Sequence, residues 1–178
     1  TVTLTDERWV PNDHPKSNER MVHHTLFKNK AISAQFVALK TDHATALAAE
    51  AELNTTLSTS LPTVDVVVLG MGEDGHFASL FPNTRELTQG LSHEGTARCI
   101  ATQGPVFPTE RMSLTLSMLL SAKKIYLFIS GDTKLHVVRQ ASASREDDRL
   151  ITLPIPAILQ LLIEAGSGPI FLPNGANT

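Results

Sequence analysis

His76 follows Asp74 by two residues and Glu73 by three, at the end of the glycine-rich run Gly70-Met71-Gly72-Glu73-Asp74-Gly75. Imidazole is the side chain whose ordinary pKa suits proton transfer near neutrality, and an adjacent carboxylate can hold it in one tautomer. The glycines allow backbone N–H groups to come close to a ligand. Asp74, Glu73 and His76 therefore form a candidate acid–base centre, with Gly70, Gly72 and Gly75 shaping the turn that carries it. The run is neither a Walker A loop nor a dinucleotide fingerprint. A tight turn with a structural histidine is the alternative.

Two further groupings are suited to an anion. Arg8, in Asp6-Glu7-Arg8-Trp9-Val10-Pro11 with His14, Ser17 and Asn18 beyond it, presents a planar fork that fits a phosphate or carboxylate. The competing possibility is a surface loop in which Asp6 or Glu7 pairs with Arg8. Lys134 lies just after Ile129-Ser130-Gly131, where a strand runs into a helix, so backbone N–H groups and an ammonium would meet. Taken alone, that segment reads by default as a capped helix with Lys134 in solvent. No metal is expected, because there is no paired-histidine helical motif and Cys99 is the sole cysteine. No serine elbow of the G-x-S-x-G type is present either.

The elements that must hold these residues alternate. Strands are expected at Val2 to Thr5, Gln35 to Leu39, Asp65 to Leu69, Thr96 to Thr102, Lys124 to Ile129 and Ile170 to Leu172. Helices are expected from Ser17 or Asn18 to Phe27, from His43 to Leu57, from Gly131 to Ala141, and after Pro154 and Pro156. Asp6 to Lys16 reads as a loop, Phe77 to Phe81 as a helical turn stopped by Pro82, and Ser142 to Arg149 as an exposed loop. Asn174 to Thr178 reads as a frayed tail. Met112 to Ala122 starts with alternation and ends as helix, with no visible switch point. Asp65 to Leu69 is apolar enough for a strand buried on both faces. This pattern predicts an α/β layered fold with a mostly parallel sheet, in which ligands sit beyond the carboxyl ends of the strands.

The 178 residues predict one domain, and 42% hydrophobic with 19% charged residues excludes a disordered chain. No apolar run reaches the ~20 residues of a spanning helix. A net charge of −3 argues against a nucleic-acid binder. A single cysteine fits a cytoplasmic protein. The chain opens inside a strand without an initiator methionine, so residues upstream are expected. Oligomeric state is not legible, and a monomer is the working expectation.

The DERWVP…H…SN run, the LGMGEDGH-x-ASLFP run, the ERMSLTL run and the SG-x-x-K turn occur in that order. Together they resemble the 6-phosphogluconolactonases, over Thr3 to Pro173, with Leu69 to Pro82 the most specific part. The resemblance implies a modified Rossmann-like α/β/α three-layer sandwich over residues 1–178, truncated at its N-terminus. It implies hydrolysis of 6-phospho-D-glucono-1,5-lactone without a cofactor, with His76 as general base and Arg8 as a substrate contact. Arg111 and Lys134 would hold the phosphate or the sugar. Members of this family normally begin with a further helix and strand carrying a Ser-Gly-Gly-type phosphate loop, and usually show threonine where this chain has Phe77. The alternatives are an isomerase or deaminase of the same superfamily, or a non-catalytic sugar-phosphate sensor. Ser79-Leu80-Phe81-Pro82 favours the lactonase over a deaminase, for which Asn-Glu-Pro is expected.

Overall fold

A computed structural model of the chain describes residues 1–143 together with Ile170 and Phe171. The expected helix after Pro156, most of the loop to Arg149 and the tail lie outside the described residues. The elements are β1 (Val2–Thr3), β2 (Asp6–Arg8), α1 (Asn18–Thr25), β3 (Phe36–Val37), α2 (Ala46–Ser60), β4 (Val64–Leu69) and α3 (Leu87–Gly90). They continue with β5 (Cys99–Gln103), β6 (Glu110–Leu114), α4 (Leu116–Leu120), β7 (Ala122–Leu127), α5 (Asp132–Ala143) and β8 (Ile170–Phe171).

The strands form two parallel sheets, β1-β3 and β4-β7-β8, and an antiparallel one in the order β2-β6-β5. The α/β class is as expected. The antiparallel sheet is the addition, and it corrects the reading of Asp6 to Arg8 as loop. Asp-Glu-Arg has no strand propensity of its own; pairing with β6 makes it a strand.

Local chemistry sets the helix boundaries. Ser17 caps α1 by accepting from the Arg20 N–H at 3.1 Å, and Thr45 caps α2 by accepting from Ala48 at 3.2 Å. Thr115 does the same for α4, accepting from Met118 at 3.2 Å. Thr115 is therefore the switch between alternation and helix in the stretch from Met112. On α2, Leu53 and Leu57 are buried, and Glu50 and Asn54 accept the N–H groups of Ala101 and Cys99 on the edge strand β5 and of Arg98 just before it. Side chains of a helix thus close a sheet edge that would otherwise be open.

Two further corrections concern the segment leading to His76. In β4, Val67 and Leu69 are buried, but Val66 is 52% and Val68 60% exposed. Only one face of this strand meets the core. The other borders a groove of about 670 Å³ shared with Val2, Leu4, Val22 and Met118, which no described element covers. Phe77 to Phe81 is not helical: Phe77 and Leu80 face each other across a tight turn, with Leu80 N–H donating to the Phe77 carbonyl at 3.0 Å. Ala78 there takes φ 49°, which a helix does not allow. Phe77 is fully buried in the core, so position 77 contributes packing.

Candidate active site

Parallel pairing of β4 with β7 puts the ends of both strands side by side, and Phe128 N–H extends the ladder to the Leu69 carbonyl at 2.7 Å. The Gly70–Gly75 turn and the Gly131 turn therefore emerge next to each other. Gly75 has φ 82° and Gly131 φ 88°, so both turns use conformations that favour glycine. Gly72 is needed for a different reason. A Cβ there would lie 2.2 Å from His76 Nδ1 and 2.5 Å from Asp74 Oδ1. Gly70 has open space around it.

The turn brings His76 Nδ1 to 2.6 Å from Asp74 Oδ1, and the same oxygen accepts the His76 backbone N–H at 3.2 Å. Of the two candidate carboxylates, Asp74 is the one that orients the ring; Glu73 is exposed and makes no hydrogen bond to it. A carboxylate can only accept, so Nδ1 donates the hydrogen in this contact, and in the neutral ring the lone pair sits on Nε2. The imidazole packs against Phe81, with ring centroids 4.3 Å apart and planes tilted by 40°, and its side chain is 28% exposed.

Arg8 and Arg111 are partners in the β2–β6 register, so their side chains leave the same face of the sheet. Like charges directly opposed cost stability, and here they are kept. Burial, and then Arg8, press the Arg111 guanidinium below its ordinary pKa, while Asp6 and Glu7 act in the opposite direction. Arg111 is 7% exposed, and its Nη1 has no hydrogen-bond partner among the described residues. An unpaired buried donor of this kind costs about 1–3 kcal/mol, which an anion between the guanidiniums would relieve.

Arg8 donates through Nη1 to Asn18 Oδ1, and Asn18 Nδ2 donates to the Asp6 carbonyl at 2.8 Å. Asp6 and Glu7 do not pair with Arg8 through their side chains as salt bridges. Asp6 accepts from Ser79, and Glu7, 1% exposed, accepts the N–H groups of Arg8, Asn18 and Glu19 and the Ser17 hydroxyl. The Glu7 carboxylate thus anchors the start of α1 and, through Asn18, the guanidinium of Arg8.

Gly104 joins the two halves. A Cβ on it would lie 3.3 Å from Phe81 Cε2 and 3.2 Å from Arg111 Nε and Nη2. Gly104 therefore lies against both the Phe81 ring and the Arg111 guanidinium, with Phe81 in turn against His76 and Arg8 opposite Arg111 in the register. Lys134 lies in the first turn of α5, after the neighbouring strand, half-buried, and its side chain makes no hydrogen bond or ion pair with any described residue. Sequence reasoning did not single out Ser79, Phe81 or Gly104. Their signal was present in the resemblance run for the first two, and absent for Gly104.

The family of glucosamine-6-phosphate isomerases and 6-phosphogluconolactonases matches residues 1–162. The chain is 42% identical over 159 residues to the 6-phosphogluconolactonase of Pseudomonas putida and 40% identical over 161 residues to that of Pseudomonas aeruginosa. Those matches take in 89% and 90% of this chain, but the chain spans only 64% and 66% of the two relatives' lengths. The crystal structure of a 6-phosphogluconolactonase from Shewanella baltica superposes with a TM-score of 0.84 at 40% identity, over 97% of this chain and 71% of the other. A monomeric glucosamine-6-phosphate deaminase shares the fold, with a TM-score of 0.72 at 19% identity. The chain belongs to the family of glucosamine-6-phosphate isomerases and 6-phosphogluconolactonases.

Proposed function

We propose that this protein hydrolyses 6-phospho-D-glucono-1,5-lactone to 6-phospho-D-gluconate, with His76 as general base. The observation that carries this reading is the Asp74–His76 contact of 2.6 Å set beside two opposed arginines, one with an unpaired buried donor. A base next to a dianion site suits a lactone whose neutral ester group is attacked while its phosphate is held.

The chemistry follows from the geometry. Arg8 and Arg111 hold the phosphate, with Lys134 close to the adjoining strand end. Water attacks C1 of the lactone as Nε2 of His76 takes its proton, and Asp74 stabilises the imidazolium through Nδ1–H. The carbonyl oxygen gains negative charge, for which the glycine-turn N–H groups and the Lys134 ammonium are the candidate donors. The C1–O5 bond then breaks, and the departing ring oxygen takes the proton back from His76. The second proton of the attacking water stays on the new carboxyl group and is released to solvent as it ionises to the gluconate, so the scheme balances with no cofactor or metal. Glu73, exposed, contributes charge to the turn rather than contact. The same reading suits a cytoplasmic protein, since phosphorylated sugars are retained there by their charge.

The test is to generate the lactone with glucose-6-phosphate dehydrogenase and follow its disappearance. The protein is expected to accelerate hydrolysis above the spontaneous opening, and to favour the phosphorylated lactone over glucono-1,5-lactone. No acceleration would sink the proposal; equal rates on both lactones would remove the phosphate site from it.

A further inference from the structure

Ser79 has three polar groups, and each is bonded to a different strand of the antiparallel sheet. Its hydroxyl donates to Asp6 Oδ2 on β2 at 2.7 Å, and its N–H donates to Ser113 Oγ on β6 at 3.1 Å. Its carbonyl accepts from Thr102 Oγ1 on β5 at 2.9 Å. Ser79, Ser113 and Thr102 are 1%, 0% and 3% exposed, so water does not substitute for these bonds. In the strand registers, Asp6 faces Ser113, and Thr102 and Arg8 both face Arg111. Alternation therefore puts all three partners of Ser79 on the sheet face that carries the two arginines.

The base comes from elsewhere. His76 leaves the end of β4, in a separate parallel sheet, and the β-bridge at 77 and 80 is local to its own turn. Between His76 and the arginine-bearing face, Ser79 provides the direct polar attachment, and Phe81 the packed one. A shift of the turn along the sheet would move the imidazole relative to both guanidiniums while leaving each half intact.

We infer that Ser79 is a positioning residue: pinned to all three strands at once, it fixes the distance between the base His76 and the anion site of Arg8 and Arg111. The inference deepens the lactonase reading and rests on it. It assigns no contact between Ser79 and the substrate. Reorienting a reactive group by about 1 Å costs on the order of 100-fold in rate, so the effect belongs in turnover.

Two variants test it, Ser79→Ala, which removes the bond to Asp6, and Thr102→Val, which removes the bond to the Ser79 carbonyl without changing side-chain shape. Both are assayed well below their melting temperatures. Each is expected to lower kcat on the phosphorylated lactone by about 10–100-fold with KM within a few-fold of wild type. Their kcat on unphosphorylated lactone should change less, because that substrate is not held by the arginines. A merely structural role would lower the melting temperature and leave kcat unchanged, and that result overturns the inference. A second readout is independent of turnover. In the wild type, titration with inorganic phosphate should shift the ¹⁵N-labelled imidazole signals of His76. In both variants phosphate should still bind, and the shift should be reduced or lost. An identical His76 response in wild type and variants overturns the inference even if the wild type proves inactive on the lactone, an outcome that would separately defeat the lactonase reading.

Discussion

Gly72→Ala places a methyl group where the proposed base and its carboxylate meet. The new Cβ would sit 2.2 Å from His76 Nδ1, 2.3 Å from Cε1 and 2.5 Å from Asp74 Oδ1, against 3.4 Å for ordinary contact. The imidazole must retreat by about 1.2 Å, and its 2.6 Å bond to Asp74 cannot survive that displacement. Misplacement of about 1 Å costs ~10²-fold, and loss of a general base altogether costs ~10²–10⁴-fold, so kcat should fall by about 10²-fold or more. The fold should not suffer. Gly72 lies outside the left-handed region, and the atoms in the way belong to partly exposed side chains that can swing toward solvent. The unfolded-chain gain of replacing glycine by alanine, about 0.4–1 kcal/mol, offsets part of the cost of displacing those side chains. Steady-state hydrolysis of the phosphorylated lactone and a melting curve, measured on the same sample, decide the matter. A variant with near wild-type kcat would refute the claim that the Asp74–His76 contact drives the reaction. A collapse of the melting temperature would refute the claim that Gly72 serves the site rather than the fold.

Arg8→Lys keeps the charge but loses the planar fork and the bond to Asn18, so KM for the phosphorylated lactone should rise about 10-fold with a smaller change in kcat. Glu7→Gln puts an amide where a buried carboxylate accepts four hydrogen bonds; it should lower stability by about 2–4 kcal/mol in urea unfolding, as two donors would face an NH₂ group. Burial, reinforced by Glu50, pushes the Cys99 thiol from its ordinary 9.0 up to about 12, so a thiol reagent at neutral pH should label it only after unfolding. The sign for stability follows from the same shift. The folded state holds the thiol proton more tightly, so this contribution is complete below pH 9 and is lost as pH rises toward 12. Chemical unfolding at a series of alkaline pH values measures the decline.

Much of the site was legible because its parts are local. His76, Asp74 and the glycines lie within one turn, and a strand of β-branched residues leads into them. What was not legible depends on long-range pairing. Which carboxylate meets the imidazole is settled only by the folded turn, since spacing alone admits both Asp74 and Glu73. The opposition of Arg8 to Arg111 requires the β2–β6 register, and β2 consists of Asp-Glu-Arg, which carries no apolar alternation to announce a strand. In β4 the opposite problem arises. Val66, Val67 and Val68 are equally apolar, so sequence could not tell the buried face from the exposed one. The pin at Ser79 was invisible for both reasons, since its partners lie on three strands far apart in the chain.

The central claim is that His76 is the base. Its most direct test compares kcat for the phosphorylated lactone between the wild-type protein and His76→Ala, with spontaneous opening subtracted. The account predicts a loss of about 10²–10⁴-fold with phosphate binding retained by Arg8 and Arg111. An undiminished kcat in His76→Ala would contradict it.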